Sequence, residues 1–151
     1  KSPDSIIDKM QRKGIEMTAN AMKDNVLDIA GVRVICNYID DIYTLTSSLI
    51  SQDDLKIIKK TDYIQNPKPN GYRSLHIVLA VPVYRFSEKV IVPVEIQVRT
   101  IAMDFWASLE HQLRYKSKND IPSDIYEQLN DCAETISDLD VQMQKIFRAL
   151  I

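Results

Sequence analysis

Lys89-Val-Ile-Val-Pro-Val-Glu95-Ile-Gln97-Val-Arg99-Thr100 is the stretch that decides the fold. Val90, Val92, Val94, Ile96 and Val98 are β-branched and apolar, and Glu95, Gln97 and Arg99 alternate with them. A strand, with its period of two, sends these two sets to opposite faces. The apolar set makes a core face. The polar set faces either water or a ligand, and for an isolated strand a solvated Glu and Arg are the ordinary outcome. Which holds depends on what the other segments bring to that face.

The nearest contribution comes from Gln65-Asn-Pro-Lys68-Pro-Asn70-Gly-Tyr72-Arg-Ser74-Leu-His76. Two prolines and Asn-Gly stiffen a loop, and the strand after it places Tyr72, Ser74 and His76 on one face and Leu75, Ile77 and Leu79 on the other. A ring, a hydroxyl and an imidazole beside Lys68 and Asn70 suit a nucleotide, with stacking for the base and cations for phosphate. Singly, Tyr72 reads as a packing residue and His76 as a satisfied core histidine. The turn around Arg85 to Lys89 predicts an antiparallel hairpin with His76 opposite Arg99, Val78 opposite Gln97 and Ala80 opposite Glu95, and a bulge or the end of pairing at Pro82.

Upstream, Ser2-Pro3 opens a helix that runs to about Lys13 and stops near Gly14. Ser5, Lys9 and Arg12 share one of its faces, with Lys1 beside them; this face is either a seat for a polyphosphate or simply solvated. Thr18 caps a second helix reaching about Asn25. Asp28 then leads into a buried strand through Cys36 whose single charge, Arg33, must meet an anion. Asp28 itself is a candidate Mg²⁺ ligand, with a plain turn or capping role as the alternative. A helix from Asp40 or Asp41 to about Ser51 and a strand from Leu55 to Tyr63 follow.

Downstream, Thr100 caps a helix that should pack on the sheet through Ala102, Phe105, Trp106, Leu109 and Leu113, with His111, Arg114 and Lys116 in solvent. Ser123 caps a last helix carrying Ile125, Leu129, Cys132, Ile136, Leu139, Met143, Ile146 and Leu150 at spacings of four and three. A seam that long predicts packing partly on its own domain and partly on another subunit.

At 151 residues and 45% hydrophobic content the chain can bury one sizeable core. A net charge of −2 argues against binding nucleic acid or membrane through overall charge, so an anion site must be built from placed residues. Cys36 and Cys132 fall in apolar patterns without metal-ligand spacing and read as buried, reduced thiols of a cytoplasmic protein. With glycine only at Gly14, Gly31 and Gly71, the chain lacks a glycine-rich phosphate loop, which argues against a P-loop kinase or Rossmann mechanism. The chain begins at Lys1 without Met, and the expectation is that the natural N-terminus lies further upstream.

Asp28-Ile-Ala-Gly-Val-Arg33-Val-Ile, Lys68-Pro-Asn70-Gly-Tyr72-Arg-Ser-Leu-His76 and Val94-Glu95-Ile-Gln97-Val-Arg99-Thr, in that order, resemble the synthetase domain of the alarmone synthetases that make guanosine tetra- and pentaphosphate. The ending Phe105-Trp-Ala-Ser-Leu-Glu-His111-Gln-Leu-Arg-Tyr-Lys116 is similar to the small, single-domain members. The resemblance spans Lys1 to about Lys116. It implies an α/β (α+β) fold, a mixed, mainly antiparallel sheet flanked by helices, of nucleotidyltransferase type. It also implies transfer of the β,γ-pyrophosphate of ATP to the 3′-hydroxyl of GTP or GDP with release of AMP, and homotetramers. Carried over residue by residue, it makes Glu95 the group that deprotonates or orients the 3′-hydroxyl and shares Mg²⁺ with Asp28. Tyr72 resembles the guanine-stacking tyrosine, surrounded by Lys68, Asn70, His76 and Gln97. Arg33 resembles an adenine-stacking arginine, and Lys1, Ser5, Lys9 and Arg12 match the helix that grips the donor's phosphates. A second adenine-stacking arginine normally precedes the position of Lys1. With His76 and His111 as its only histidines, the chain lacks the histidine cluster of the hydrolase half of bifunctional relatives, so synthesis without degradation is expected.

The organisation expected is one synthetase domain over 1–151, with a catalytic core over 1–116 and a helical, oligomerising segment over 117–151. A guanine-nucleotide or RNA-binding regulatory module without turnover is the alternative from another class, and an assembly domain a weaker one. The paired carboxylates Asp28 and Glu95 favour the enzyme, because a binder of phosphate gains nothing from them.

Overall fold

The alternation over 89–100 is realised in a strand at the interior of a mixed sheet. A computed structural model describes residues 1–116 and 122–150. In chain order the elements are α1 (Pro3–Arg12), α2 (Ala19–Asn25), β1 (Ala30–Cys36), α3 (Ile39–Ile50), β2 (Lys56–Asp62), β3 (Leu75–Arg85), β4 (Glu88–Thr100), α4 (Ile101–Lys116) and α5 (Ser123–Leu150). The sheet order is β1-β4-β3-β2, with β1 parallel to β4 and the other pairs antiparallel. This is the expected mixed, mainly antiparallel sheet with flanking helices and a long C-terminal helix.

Local chemistry fixes the helix starts. Ser2 Oγ accepts from the amide of Ser5 at 3.3 Å with Pro3 as the first helical residue, and Thr18 Oγ1 accepts from the amide of Ala21 at 3.2 Å. Thr100 Oγ1 accepts from the amide of Met103 at 3.1 Å, so β4 passes directly into α4.

The core face of the sheet carries Leu75, Ile77 and Leu79 of β3 and Val98 of β4, closed by Ile42 of α3 and Met103 of α4. The opposite face carries His76, Glu95, Gln97 and Arg99. Here the hairpin register corrects the expectation by two residues: His76 lies opposite Gln97 and Val78 opposite Glu95. An even shift leaves every side chain on its own face, so the hydrophobic pattern could not distinguish the two registers. The turn distinguishes them: Arg85 pairs with Glu88, leaving Phe86 and Ser87 as the loop, with Phe86 at φ 52°. Pro82 neither bulges nor ends the ladder but pairs with Ile91. The β2 ladder ends opposite Ala80, so beyond it β3 has a neighbour on one side only and a missing N–H is tolerated.

Three burial expectations are also corrected. β1 is an edge strand, not a buried one; Gly31, Val32, Arg33 and Ile35 are exposed. α4 packs through Met103, Trp106, Ala107 and Glu110, while Phe105, Leu109 and Leu113 stay exposed, because α5 approaches from a direction that the helix period alone does not specify. Cys132 is exposed and Cys36 partly buried.

On α5 the buried residues are Ala133, Asp140 and Gln144, and the expected apolar seam is largely open, with Leu139, Met143 and Ile146 about half exposed. α5 is held by Ala133 and Ile136 against Trp106 and Ala107, and by polar and aromatic contacts. Gln144 Oε1 accepts from the amide of Asp40 at 2.8 Å, Arg148 donates to both Asp40 carboxylate oxygens at 2.6 and 2.7 Å, and Tyr38 stacks on Phe147 at 4.1 Å. Asp140 Oδ2 accepts from Thr100 Oγ1 at 2.5 Å, tying α5 to the start of α4. The expected boundary between 116 and 117 adjoins residues 117–121, which lie outside the described residues.

Candidate active site

The polar face of β3 and β4 opens on two cavities. The larger, about 660 Å³, is bounded by the Lys68–Tyr72 loop, by His76, Gln97 and Arg99 of the sheet, and by Glu110, His111 and Arg114 of α4. The smaller, about 250 Å³, is bounded by Lys1, the entry to β1 from Asp28 to Val32, and Glu95. Arg33 and Gln97 line both, so the cavities meet there. In the parallel pair Gly31 sits opposite Glu95 and Arg33 opposite Gln97, which brings β1 and β4 together at this junction.

In the larger cavity the loop is a turn, with the amide of Gly71 donating to Lys68 O at 2.8 Å and Pro69 at its first corner. Asn70 is used twice, its Oδ1 accepting from the amide of Tyr72 at 3.3 Å and its Nδ2 donating to Glu110 Oε1 at 3.1 Å. Lys68 Nζ lies over the Tyr72 ring at 4.6 Å and the Arg99 guanidinium lies over it at 5.0 Å. Cations at these distances are attracted by the ring quadrupole. Tyr63 closes one side, edge-on to Tyr72 and His76.

A closed polar circuit runs across the sheet. Arg99 Nη2 donates to Tyr72 Oη at 2.6 Å, Tyr72 Oη is 2.9 Å from His76 Nε2, and His76 Nδ1 is 3.4 Å from Glu95 Oε1. Gln97 Nε2 donates to Glu95 Oε2 at 2.9 Å, and Gln97 Oε1 accepts from Arg99 Nη2 at 3.2 Å. The His76 contact holds the Glu95 carboxyl below the usual glutamate range; burial pushes it up, Gln97 adds to the lowering, and nearby Asp28 opposes it. Glu95 is therefore ionised at neutral pH.

In the smaller cavity Asp28 Oδ2 is 2.6 Å from both Lys1 Nζ and Lys9 Nζ. Burial raises the Asp28 pKa, but the two ammonium groups outweigh it and bring it to about 2. Asp28 Oδ1 is buried without a hydrogen-bond partner. An ionised carboxylate with an orphaned oxygen, facing a cavity shared with a second ionised carboxylate, fits a hard divalent cation; Mg²⁺ typically takes one or two protein carboxylates and completes its shell with water and substrate phosphate. Asp28 and Glu95 are the residues that would hold it. Among the described residues no group of three or more His, Cys, Asp or Glu side chains gathers at one point.

Of the sequence-derived candidates, Lys1, Asp28, Arg33 and Glu95 come together with Gln97 at one cavity, and Lys68, Asn70, Tyr72 and His76 at the other. Lys9 reaches the site through Asp28, whereas Ser5 and Arg12 line neither cavity; the Ser5 hydroxyl is engaged with Ser2 Oγ at 2.9 Å. Because Arg33 is exposed on an edge strand it does not need the anion expected of a buried one; it stands 3.6 Å from Asp104, which also accepts from Arg99 at 3.1 Å. The sequence pattern points to neither Asp104 nor Glu110, and it leaves His111 and Arg114 in solvent. His111 and Arg114, although exposed, line the larger cavity, and Arg114 pairs with Glu110. The available signal was that Asp104, Ala107 and His111 fall at i, i+3 and i+7, a stripe distinct from the apolar one.

A profile described as a region found in RelA / SpoT proteins matches residues 1–120. The chain belongs to the RelA/SpoT family. This RelA/SpoT chain is 51% identical over 143 residues to the GTP pyrophosphokinase YwaC of Bacillus subtilis (strain 168), covering 95% of itself and 68% of that relative. It is 39% identical over 142 residues to the GTP pyrophosphokinase YjbM of the same organism, covering 94% of itself and 66% of YjbM. Its fold matches the small alarmone synthetase 1 of Bacillus subtilis bound to its product pppGpp, with a TM-score of 0.90 at 37% identity over 99% of this chain and 75% of that one. It matches the small alarmone synthetase 2 of the same organism with a TM-score of 0.90 at 48% identity, over 99% and 77%. The RelA/SpoT chain thus groups with GTP pyrophosphokinases of the small alarmone synthetase type, as the three ordered motifs implied.

Proposed function

We propose that this chain makes guanosine penta- or tetraphosphate by moving the β,γ-pyrophosphate of ATP onto the 3′-hydroxyl of GTP or GDP. The observation that carries the reading is that the Asp28–Glu95 cavity and the Tyr72 cavity meet at Arg33 and Gln97, so a donor in one presents its phosphates to an acceptor in the other. The acceptor's guanine stacks on Tyr72, displacing the Lys68 ammonium from over the ring towards the 5′-phosphates, with Asn70, His76 and Gln97 around the nucleoside. The donor's adenine lies against Arg33, and Lys1 and Lys9 face its phosphates, while Ser5 and Arg12 stand on α1 outside the lining of that cavity.

Glu95 takes the proton of the 3′-hydroxyl as that oxygen forms its bond to the β-phosphorus of ATP; the bond from the β-phosphorus to the oxygen bridging the α-phosphate breaks, and AMP leaves with that oxygen. For the neutral His76 ring, Nδ1–H towards Glu95 and Nε2 accepting from Tyr72 is the tautomer that satisfies both contacts, and it orients the base. Mg²⁺ bound between Asp28 and Glu95 would supply neutralisation of the phosphate charge.

We assign residues 1–116 to the catalytic core and α5 to support and assembly. The half-exposed Ile101, Phe105 and Leu109 of α4 and Leu139, Met143 and Ile146 of α5 supply apolar surface for a homo-oligomer, for which a tetramer is the family's usual form. Among the described residues no helix is long and apolar enough to cross a membrane, and a cytoplasmic location is part of the proposal.

The test is incubation of the chain with ATP, GTP or GDP, and Mg²⁺. Formation of AMP and a 3′-pyrophosphorylated guanine nucleotide, lost in Glu95→Gln by a factor of about 10²–10⁴ while both nucleotides still bind, is the expected result. Binding without AMP formation in the unsubstituted chain would leave only the regulatory-module reading.

A further inference from the structure

The loop that carries Tyr72 rests on α5. Gly71 adopts φ +81°, and a Cβ built on it would lie 2.4 Å from Ala133 Cβ and 3.4 Å from Asn130 Oδ1. Loop and helix are therefore in contact with no room for a side chain between them, and glycine is required both for the conformation and for the approach. Arg73, two residues on, turns back to the same point: its Nη1 donates to Ala133 O at 3.2 Å and lies 3.5 Å from Gly71 O. Trp106 Nε1 donates to Leu129 O at 3.1 Å one turn earlier on α5, and Trp106, Ala107 and Ala133 form a buried cluster against which Tyr72 packs. Ala107 also lines the acceptor cavity. All of α5 lies beyond residues 1–120, the part that the family profile matches.

We infer that Ala133, fixed to the loop by Arg73, is a positioning residue for the guanine nucleotide: it sets the height of Gly71 and so the plane of the neighbouring Tyr72 ring on which the base stacks. The inference rests on the proposed synthetase reading. Its physical content is selectivity. The contact holds the acceptor side of the junction and touches nothing on the donor side, where Lys1 precedes α1, Asp28 precedes β1 and Glu95 stands on β4. Enlarging Ala133 must therefore raise the acceptor's KM and spare the donor's. A purely structural contact would change both together, or change only the amount of folded protein.

Ala133→Leu in the full chain is the test, with KM measured separately for GTP, GDP and ATP. A rise of about tenfold in KM for the guanine nucleotides, with the ATP value held within about twofold, is expected for a loss confined to acceptor binding. Equal rises for donor and acceptor, or an unchanged acceptor KM in a folded variant, overturn the inference. Arg73→Met and Arg73→Lys give the same answer without enlarging the core: Met should raise the acceptor KM selectively and Lys, which keeps a donor, should restore part of it. If Ala133→Leu does not fold, an unchanged acceptor KM in Arg73→Met overturns the inference. An inactive unsubstituted chain overturns the synthetase reading itself, whereas an active one without the donor-acceptor split overturns only the role of Ala133.

Discussion

His76 Nδ1 lies 3.4 Å from Glu95 Oε1 although the ladder sets His76 opposite Gln97 and Glu95 opposite Val78. The contact is diagonal across the hairpin, a distance that long side chains span. It is the largest cause of the lowered Glu95 pKa. On the proposed mechanism an ionised Glu95 is the active form, so lowering its pKa moves the acid limb of the pH–rate profile below the usual glutamate range. In His76→Ala, burial and the Asp28 charge, which both raise the pKa, lose their main opponent. The acid limb of kcat/KM should move to higher pH; an unmoved limb in an otherwise active variant would show that His76 does not tune Glu95.

Tyr72 has two separable parts. Its ring offers a stacking surface, and its hydroxyl joins Arg99 to His76. Base–aromatic stacking contributes about 1–3 kcal/mol, so Tyr72→Ala should raise KM for GTP and GDP roughly five- to hundred-fold. Tyr72→Phe keeps the ring and should lose less of this affinity. Steady-state kinetics with guanine nucleotide varied at saturating ATP separate the two, and equal effects of Ala and Phe would argue against stacking.

Asp28 makes stability depend on acidity with a definite sign. Its folded pKa of about 2 lies below the ordinary 3.8, so the folded state binds its proton less readily than the unfolded chain does. Its contribution is complete above pH 3.8 and is lost as the pH falls towards about 2. The urea midpoint of the unsubstituted chain should exceed that of Asp28→Asn at neutral pH, and the gap should narrow across that acidic window. A gap that widens on acidification would contradict the pairing with Lys1 and Lys9.

Thr100 combines two tasks at the junction of β4 and α4: it caps the helix through Met103 N and donates to the buried Asp140. Losing a cap costs about 1 kcal/mol and stranding a buried polar group about 1–3 kcal/mol, so Thr100→Ala should destabilise by about 2–4 kcal/mol. Thr100→Ser keeps both bonds and should cost far less. Chemical denaturation of the two variants side by side checks this.

What could be read in advance was whatever local periodicity and motif order encode. The alternation at Glu95, Gln97 and Arg99 gave the polar face, Ser2, Thr18 and Thr100 gave the helix starts, and the motifs at Asp28, Tyr72 and Glu95 gave the family. The hairpin register escaped because shifts of two residues are degenerate in the pattern, and only the Phe86–Ser87 turn resolves them. Asp104, Glu110 and His111 escaped because a helix presents several stripes, and which one meets the sheet depends on where α5 presses.

The amino-acid sequence by itself determined the elements, their faces and the chemistry each segment carries, since these follow from side-chain type and spacing along one strand or helix. Only the tertiary structure decided that Lys1 and Lys9 converge on Asp28, that Asp104 serves both Arg33 and Arg99, and that Ala133 bears on Gly71. Each of these joins residues from separate elements, and such contacts are set by how whole elements pack once their apolar faces are buried, which no local period records.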